Sequence, residues 1–243
     1  MLRAVAWLLA CAAPGLAHAY DFKPTQSEFS SWPSYCQARY VTLPIGEDSP
    51  WATQITRGQI NSARANIGDN VFEYVHHYCA GMIWLRRARV EHDERQRTYD
   101  LKTAHAETMF TFNRLPPGTP MRAQVLINLA GITQEMGDVQ GAIDLLEQAI
   151  DTVPDEPAPY MELAIIYRKA GDLEKAHAAL MRGDAATNGE SAEIHYNLGL
   201  LLIEMNDLDG AEREAKRAYA LGHPLPGLRN KLLRLGRPLE TTG

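Results

Sequence analysis

The chain has 243 residues, and its formal net charge of −6 makes it mildly acidic. Because phosphate backbones are bound by clustered lysines and arginines, a chain without a basic block is a poor candidate for binding nucleic acid. The same argument weighs against an anionic membrane surface as a partner.

Residues 1–19 have the pattern of an export signal. Arg3 precedes an apolar stretch from Ala4 to Leu16, and Ala17-His18-Ala19 supplies the small-x-small site that a signal peptidase cleaves. The apolar stretch is shorter than the about 20 residues of a membrane-spanning helix, and no later segment is apolar for that long. We therefore expect a periplasmic protein that begins near Tyr20 and has no transmembrane segment after removal of the signal.

The three cysteines divide between the signal and the mature chain. Cys11 follows Leu8-Leu9-Ala10, which loosely imitates a lipoprotein cleavage box, but the apolar stretch continues beyond it, so we expect Cys11 to leave with the signal. Cys36 and Cys79 remain, and such a pair in an oxidising compartment predicts one disulfide. Closing a loop of this length stabilises a fold by about 4 kcal/mol on the chain-entropy model.

Residues 20–68 contain no repeat and are predicted to form an N-terminal cap. Trp32-Pro33 favours a short helix through Cys36 to Tyr40, because proline is tolerated in a first helical turn. We expect a loop from Leu43 to Asp48 and another helix from about Trp51 to Asn66. The disulfide would fasten this region to the first long helix.

Residues 69–122 read as a divergent helix pair. Apolar residues predict one long helix from Asp69 to about Glu94 and a second from about Tyr99 to Arg114. Ala104 lies in the second helix, and Pro116-Pro117-Gly118 ends it.

The second half of the chain repeats itself. Three stretches, Leu126–Ala130, Tyr160–Ala164 and His195–Gly199, start 34 and then 35 residues apart. Each is followed at a fixed distance by a Gly-Asp or Asn-Asp turn, at Gly137-Asp138, Gly171-Asp172 and Asn206-Asp207. An apolar residue and then an alanine follow each turn in phase; the alanines are Ala142, Ala176 and Ala211.

This pattern resembles the tetratricopeptide repeat, a helix–turn–helix unit of 34 residues. The resemblance implies an all-α fold: a right-handed superhelical solenoid of antiparallel helix pairs with an irregular N-terminal cap. Three repeats would occupy residues 123–225, as 123–156, 157–191 and 192–225. A C-terminal capping helix and tail would occupy 226–243, since Leu225, Leu228, Leu232 and Leu235 recur at helical spacing.

The resemblance also implies a protein-binding groove lined by the first helix of each pair. Asn128 and Asn197 stand out, because an amide both donates to and accepts from an extended backbone. The positions that map onto the groove are Gln124, Ile127, Asn128, Gly131, Gln134 and Glu135 in the first repeat, Met161, Glu162, Ile165, Arg168 and Lys169 in the second, and Glu193, Tyr196, Asn197, Leu200, Ile203 and Glu204 in the third. The cationic clamp of chaperone-binding relatives is not matched.

One cluster offers an alternative chemistry. His76, Cys79 and Met82 are spaced three apart on the long helix, and with Cys36 they could form a soft copper site or ligate haem. The disulfide interpretation competes with it and leaves no metal and no cofactor. Glu91-His92-Asp93-Glu94 reads as a solvated turn rather than as an acid–base site.

Three functional hypotheses follow. The first is an exported scaffold or adaptor that holds a peptide, a helix or a subunit of an envelope assembly in its groove. The second is a metal- or haem-handling periplasmic protein that uses Cys36, His76 and Cys79. The third is an enzyme with a closed pocket, but the sequence has no nucleophile elbow, phosphate-binding glycine loop or His-Glu-x-x-His helix, so we expect a protein without catalytic activity.

Overall fold

A computed structural model of the protein describes residues 22–239. Within that range, the chain forms thirteen α-helices and no β-strand. No helix among the described residues combines the length and the hydropathy that crossing a membrane requires. The predicted export signal and Cys11 lie outside the described residues.

The helices form an irregular cap, four antiparallel pairs and a closing helix. The cap consists of α1 (Gln26–Ser31), α2 (Ser34–Tyr40), α3 (Pro44–Glu47) and α4 (Arg57–Ile67). The pairs are α5 (Asp69–Val90) with α6 (Glu94–Phe112), α7 (Pro120–Glu135) with α8 (Val139–Thr152), α9 (Ala158–Lys169) with α10 (Leu173–Ala186), and α11 (Ala192–Glu204) with α12 (Leu208–Ala220); α13 (Gly227–Arg234) closes the chain. The architecture is the predicted all-α solenoid.

Helix starts in the first half differ from the expected ones because of local capping. The predicted loop from Leu43 to Asp48 contains α3, since Pro44 occupies a first-turn position that suits its fixed φ. The helix expected from Trp51 begins only at Arg57, because Thr56 forms a capping box with Gln59. Likewise α6 begins at Glu94 rather than Tyr99.

The cap is held by a core of aromatic side chains. Phe29 stacks on Trp51 with ring centroids 4.6 Å apart, and the ring centroids of Trp32 and Tyr40 are 5.5 Å apart. The Trp32 indole donates its N–H to the carbonyl oxygen of Cys79 at 2.8 Å. These rings therefore bury a large apolar area and fix the cap on α5 at the same time.

The cap is also bound to α5 covalently and by an ion pair. The predicted disulfide between Cys36 and Cys79 is present, and it joins α2 to α5. Arg87 on α5 binds both carboxylate oxygens of Glu28 on α1, at 2.7 and 2.8 Å. The guanidinium of Arg87 lowers the pKa of Glu28 through these hydrogen bonds. All of these contacts join segments that are distant in sequence.

The repeats are built from local turns. Gly171 has φ +80° and Asn206 has φ +64°, a region that glycine and asparagine enter at little cost. The next residue, Asp172 or Asp207, then caps the second helix by accepting a hydrogen bond from the backbone N–H three residues on, at 3.0 or 2.8 Å. The Gly-Asp and Asn-Asp pairs thus turn the chain as the sequence predicts.

Small residues set the spacing between helices. The repeat alanines Ala142, Ala176 and Ala211 are almost completely buried. A Cβ atom on Gly183 would come within 2.8 Å of Ile194 Cδ1 and 2.9 Å of Tyr160 Cβ, which is closer than carbon atoms normally approach. The second repeat therefore packs onto the third at a distance that only glycine permits there.

Candidate functional site

The first helices of successive pairs form one continuous face. α5 packs on α7, α7 on α9, and α11 on α13, while each second helix packs between two first helices. Side chains also join α9 to α11, because Arg168 Nη1 lies 3.4 Å from Glu204 Oε1. This inner face is where the predicted groove lies.

A pocket opens on the inner face between α9 and α11. The structure brings together four of the predicted residues there: Met161, Ile165, Arg168 and Asn197. The free space within the pocket is small, ≈ 20 Å³, and the pocket is partly open to solvent. Ligand pockets usually occupy about 300–1,000 Å³, so this site is a shallow depression in a contact surface rather than a cavity for a small-molecule ligand.

The rim of this pocket is polar. Asn197 donates through Nδ2 to the carbonyl oxygen of Glu193 at 2.8 Å and to the sulfur of Met161 at 3.3 Å. Arg168 pairs with Glu204, and both side chains keep substantial exposure, at 41% and 36%. Exposed ion pairs contribute little to stability, so Arg168 and Glu204 remain available to exchange partners when a ligand arrives.

The floor of the pocket comes from residues that the sequence analysis assigned to packing. Ala164, Ala176, Leu180 and Leu201 line it together with the rim residues. Ala176 belongs to the second helix of its repeat, α10. A short side chain at this position leaves space beneath the groove, so the repeat alanine carried a signal for the pocket as well as for the helix spacing.

In the first repeat, the predicted groove residues serve the junction with the preceding pair. Glu135 binds Arg97 at 2.8 Å and Arg89 at 3.4 Å, which joins α7 to both helices of the first pair. Asn128 accepts a hydrogen bond from Thr108 at 3.4 Å. Ile127 is half-buried, and Gly131 faces Arg89.

Other predicted residues lie in two separate clefts. Gln134 and Lys169 line a cleft with Val139 and Ile166 at the turn edge of the solenoid. Gln124 lines another cleft, where α7 meets the cap. The structure does not bring these residues to the pocket between α9 and α11.

In the third repeat, the predicted apolar residues contact the closing helix. Tyr196 stacks on His223 with ring centroids 3.9 Å apart. Leu200 and Ile203 are partly buried against the cluster that α13 forms with α12. Glu193 is exposed and Glu162 half-buried, and neither lines the pocket.

The cluster around His76 does not have the ligand set that the metal or haem hypothesis requires. Both sulfur atoms of Cys36 and Cys79 are joined in the disulfide, so neither is a thiolate that could bind a metal. Among the described residues, no group of three or more His, Cys, Asp or Glu side chains is arranged to hold a metal ion. Burial lowers the pKa of His76 to about 3, with further lowering by His77 and Arg39.

The polar segment Glu91-His92-Asp93-Glu94, which follows α5, has a structural role in the fold. Glu91 accepts hydrogen bonds from the backbone N–H groups of His92 and Asp93 at 2.7 and 2.8 Å. Asp93 in turn caps α6 by accepting from the N–H of Gln96 at 2.8 Å. These bonds account for the run as a turn and helix cap.

The chain is similar to known repeat proteins. Tetratricopeptide repeat family models match residues 134–192 and 192–221, which confirms the repeats predicted there. A BBSome complex member BBS4 homolog of Drosophila melanogaster is 22% identical over 137 residues, which cover 56% of this chain and 27% of that protein. The chain thus spans about a quarter of the length of that relative.

Two solved structures are similar in part. TTC0263, a thermophilic tetratricopeptide repeat protein of Thermus thermophilus, is 17% identical with a TM-score of 0.45, over 70% of this chain and 95% of that one. A crystal structure of MamA is 16% identical with a TM-score of 0.42, over 71% of this chain and 94% of that one.

Proposed function

We propose that this protein is an exported, periplasmic scaffold or adaptor that holds a protein partner of an envelope assembly in its inner groove. The observation that carries the proposal is the shallow pocket between α9 and α11, where apolar and polar side chains from two repeats meet on the inner face. Repeats of this family support a role in protein–protein interaction.

The chemistry of the pocket specifies what the partner must present. Met161, Ile165 and Leu201 offer apolar contact, and methionine adapts its shape to different side chains. Asn197 and Arg168 at the rim offer a hydrogen-bonding amide and a cation. A partner that lays an aliphatic side chain across these residues and places a carboxylate beside Arg168 would satisfy both halves of the site.

The disulfide supports export. Disulfides form and persist in oxidising compartments and are rare where thiols are kept reduced. The sequence of residues 1–19 agrees with this location. The test is N-terminal sequencing and thiol counting on protein purified from the envelope fraction: a chain that begins near Tyr20 with no reactive thiol is expected, and an intact N-terminus with free thiols at Cys36 and Cys79 would contradict export.

The groove is tested by capture from an envelope extract with the mature chain as bait. Ile165→Glu combined with Asn197→Ala places an uncompensated charge in the pocket and removes the amide, so we expect the captured partner to be lost. Val90→Glu is the matched control, because Val90 is 71% exposed and lies away from the pocket. Equal capture by all three baits would refute binding in this pocket.

A further inference from the structure

A cleft that we call the cap cleft lies in the N-terminal region, apart from the inner groove. It has a volume of ≈ 390 Å³ and is partly open to solvent. Three segments surround it: residues 23–24 before α1, the end of α2, and residues 45–51, which run from α3 toward α4. None of the residues that line it also lines the pocket between α9 and α11. Its volume is at the lower end of the about 300–1,000 Å³ of ligand sites, which suits a small ligand.

Close packing of the backbone shapes the cap cleft. A Cβ atom on Gly46 would overlap the carbonyl oxygen of Tyr40, so glycine is required for α3 to lie directly on the end of α2. The chain then returns to α1 at Trp51, whose ring stacks on Phe29 and whose indole N–H donates to the side-chain oxygen of Gln26. The fold therefore holds the walls of the cleft in place before a ligand arrives, which lowers the entropic cost of binding.

Most of the wall is apolar. Pro24, Ile45 and Pro50 line the cap cleft, and the rings of Tyr40 and Trp51 complete the apolar surface. Proline has no rotamer freedom to lose when a ligand covers it, and the two aromatic residues are already fixed in the buried core. A ligand gains most from this wall by covering it with apolar groups of its own.

Two opposite charges line the cap cleft without neutralising each other. Lys23 and Asp48 are both exposed lining residues, and neither forms an ion pair within residues 22–239. A ligand with one cationic and one anionic group would pair with both of them. A ligand that carries a single charge would leave one of the two without a partner.

Tyr40 brings a buried hydrogen-bonding group to the cap cleft. The residue is only 2% exposed, and its hydroxyl makes no hydrogen bond with another group of residues 22–239. That hydroxyl is nevertheless not sealed from solvent, and the cleft is the open space that Tyr40 lines. Burial raises the pKa of Tyr40, so the hydroxyl keeps its proton and donates. A ligand oxygen in the cleft would supply the partner that the fold does not provide.

We propose that the cap cleft binds a short apolar peptide whose two termini are both free. The ammonium group of the peptide pairs with Asp48, its carboxylate pairs with Lys23, and an oxygen between them accepts a hydrogen bond from the Tyr40 hydroxyl. The apolar side chains of the peptide cover the two prolines and the aromatic rings. An internal segment of a protein carries neither terminal charge, so this site selects a free peptide rather than a protein partner.

Isothermal titration calorimetry of the mature chain with the dipeptide leucyl-leucine tests the proposal. We expect binding, and we expect the N-acetylated and the C-amidated dipeptides to bind roughly fivefold more weakly, because each lacks one of the two charges. Glycyl-glycine has both charges without the side chains and should also bind more weakly. A doubly blocked dipeptide that binds as tightly as leucyl-leucine would overturn the proposal.

Two charge-removing variants assign the ends of the peptide. Asp48→Asn should weaken the binding of leucyl-leucine by roughly fivefold but leave the affinity for the N-acetylated form unchanged, since that ligand has no ammonium group. Lys23→Met should act in the same way on leucyl-leucine and its C-amidated form. The controls are Glu174→Gln and Lys102→Met, which remove exposed charges on α10 and α6 and should change no affinity.

Tyr40→Phe removes the hydroxyl and keeps the ring. It should weaken the binding of the free and the blocked dipeptides alike, and near-ultraviolet circular dichroism checks that the aromatic core is intact. A wild type that does not bind leucyl-leucine at millimolar concentrations overturns the proposal, as does binding that Asp48→Asn and Lys23→Met both leave unchanged. Neither outcome bears on the inner groove, because the two sites share no residue.

Discussion

The two halves of this molecule are stabilised in different ways. In the N-terminal half, contacts join residues far apart in sequence: Trp32 donates to Cys79 across 47 positions, and Arg87 binds Glu28 across 59. In the repeats, each helix packs on its neighbours in the chain, and the turns are capped within three residues. Large aromatic rings hold the first half together, and small residues set the spacing in the second.

This difference predicts that the two halves need not unfold cooperatively with each other. A solenoid is stabilised by its individual repeats and by the interfaces between neighbours, so damage to one end need not unfold the other. The described tryptophans, Trp32, Trp51 and Trp84, all lie in the N-terminal half. Tryptophan fluorescence of the mature chain therefore reports on the cap and the first pair, whereas far-ultraviolet circular dichroism reports on all the helices.

The largest expected effect comes from the disulfide. Cys36→Ala combined with Cys79→Ala removes a link across 43 positions and should lower the free energy of unfolding of the N-terminal half by about 4 kcal/mol. Urea unfolding followed by both signals measures it. We expect the fluorescence transition to move to lower urea while part of the circular dichroism transition stays in place.

Coincident transitions in the double cysteine variant would show that the two halves unfold as one unit. The reduced wild type is the matched control, because it keeps both side chains and lacks only the bond. It should lose about the same free energy, since the loop-closure term is the same.

The repeats are tested at a close contact between helices. Gly183→Ala puts a methyl group against Ile194 and Tyr160, and such overpacking costs about 1–3 kcal/mol. Because this contact lies in the second half, the circular dichroism transition should shift more than the fluorescence transition.

Gly58→Ala is the control for the same chemical change. The nearest atom to a Cβ there is Thr56 Oγ1, at 3.8 Å, so the helix propensity of alanine should make this variant up to about 1 kcal/mol more stable. A Gly183→Ala variant that is as stable as Gly58→Ala would show that α10 is free to move away from α9 and α11.

The smallest expected effect is a pH dependence confined to the N-terminal half. Burial lowers the pKa of His76 from 6.5 to about 3, so the unfolded chain binds a proton below pH 6.5 that the folded chain does not. Stability contributed by neutral His76 is thus complete above pH 6.5 and falls as the pH drops toward 3. At about pH 5.5 the loss should be about 1.4 kcal/mol.

His76→Gln should remove this part of the pH dependence, seen as a smaller fluorescence-midpoint shift between about pH 7.5 and about pH 5.5. His92→Gln is the control, since His92 is exposed in the turn before α6 and should leave the shift unchanged. An unaltered pH dependence in His76→Gln would contradict the assignment of a depressed pKa to this residue.

The structure of the repeats could be predicted from the sequence because their turns and helix caps depend on neighbouring residues. Gly171-Asp172 and Asn206-Asp207 specify turns and caps through their own backbone preferences, and Ala176 marks a close contact wherever it recurs. The disulfide could be predicted for a different reason. Once the compartment is inferred, the number of cysteines alone predicts the bond between Cys36 and Cys79.

Only the tertiary structure decided which groove positions meet. Met161, Ile165, Arg168 and Asn197 surround one pocket, whereas Glu135 is held by the arginines of the preceding pair. The repeat pattern assigns a face to each residue, but the side chains that cross from neighbouring helices determine whether that face stays open.

The arrangement of the cap also could not be predicted from the sequence. A helix was expected to start at about Trp51, yet this residue lies in the aromatic core and the helix begins after Thr56. A buried ring gains more from packing than one residue gains from helix propensity. The sequence by itself determined the repeats, their turns and the disulfide, because those depend on neighbouring residues or on a count. The arrangement of the cap and the groove depended on contacts between distant segments, which only the folded chain brings together.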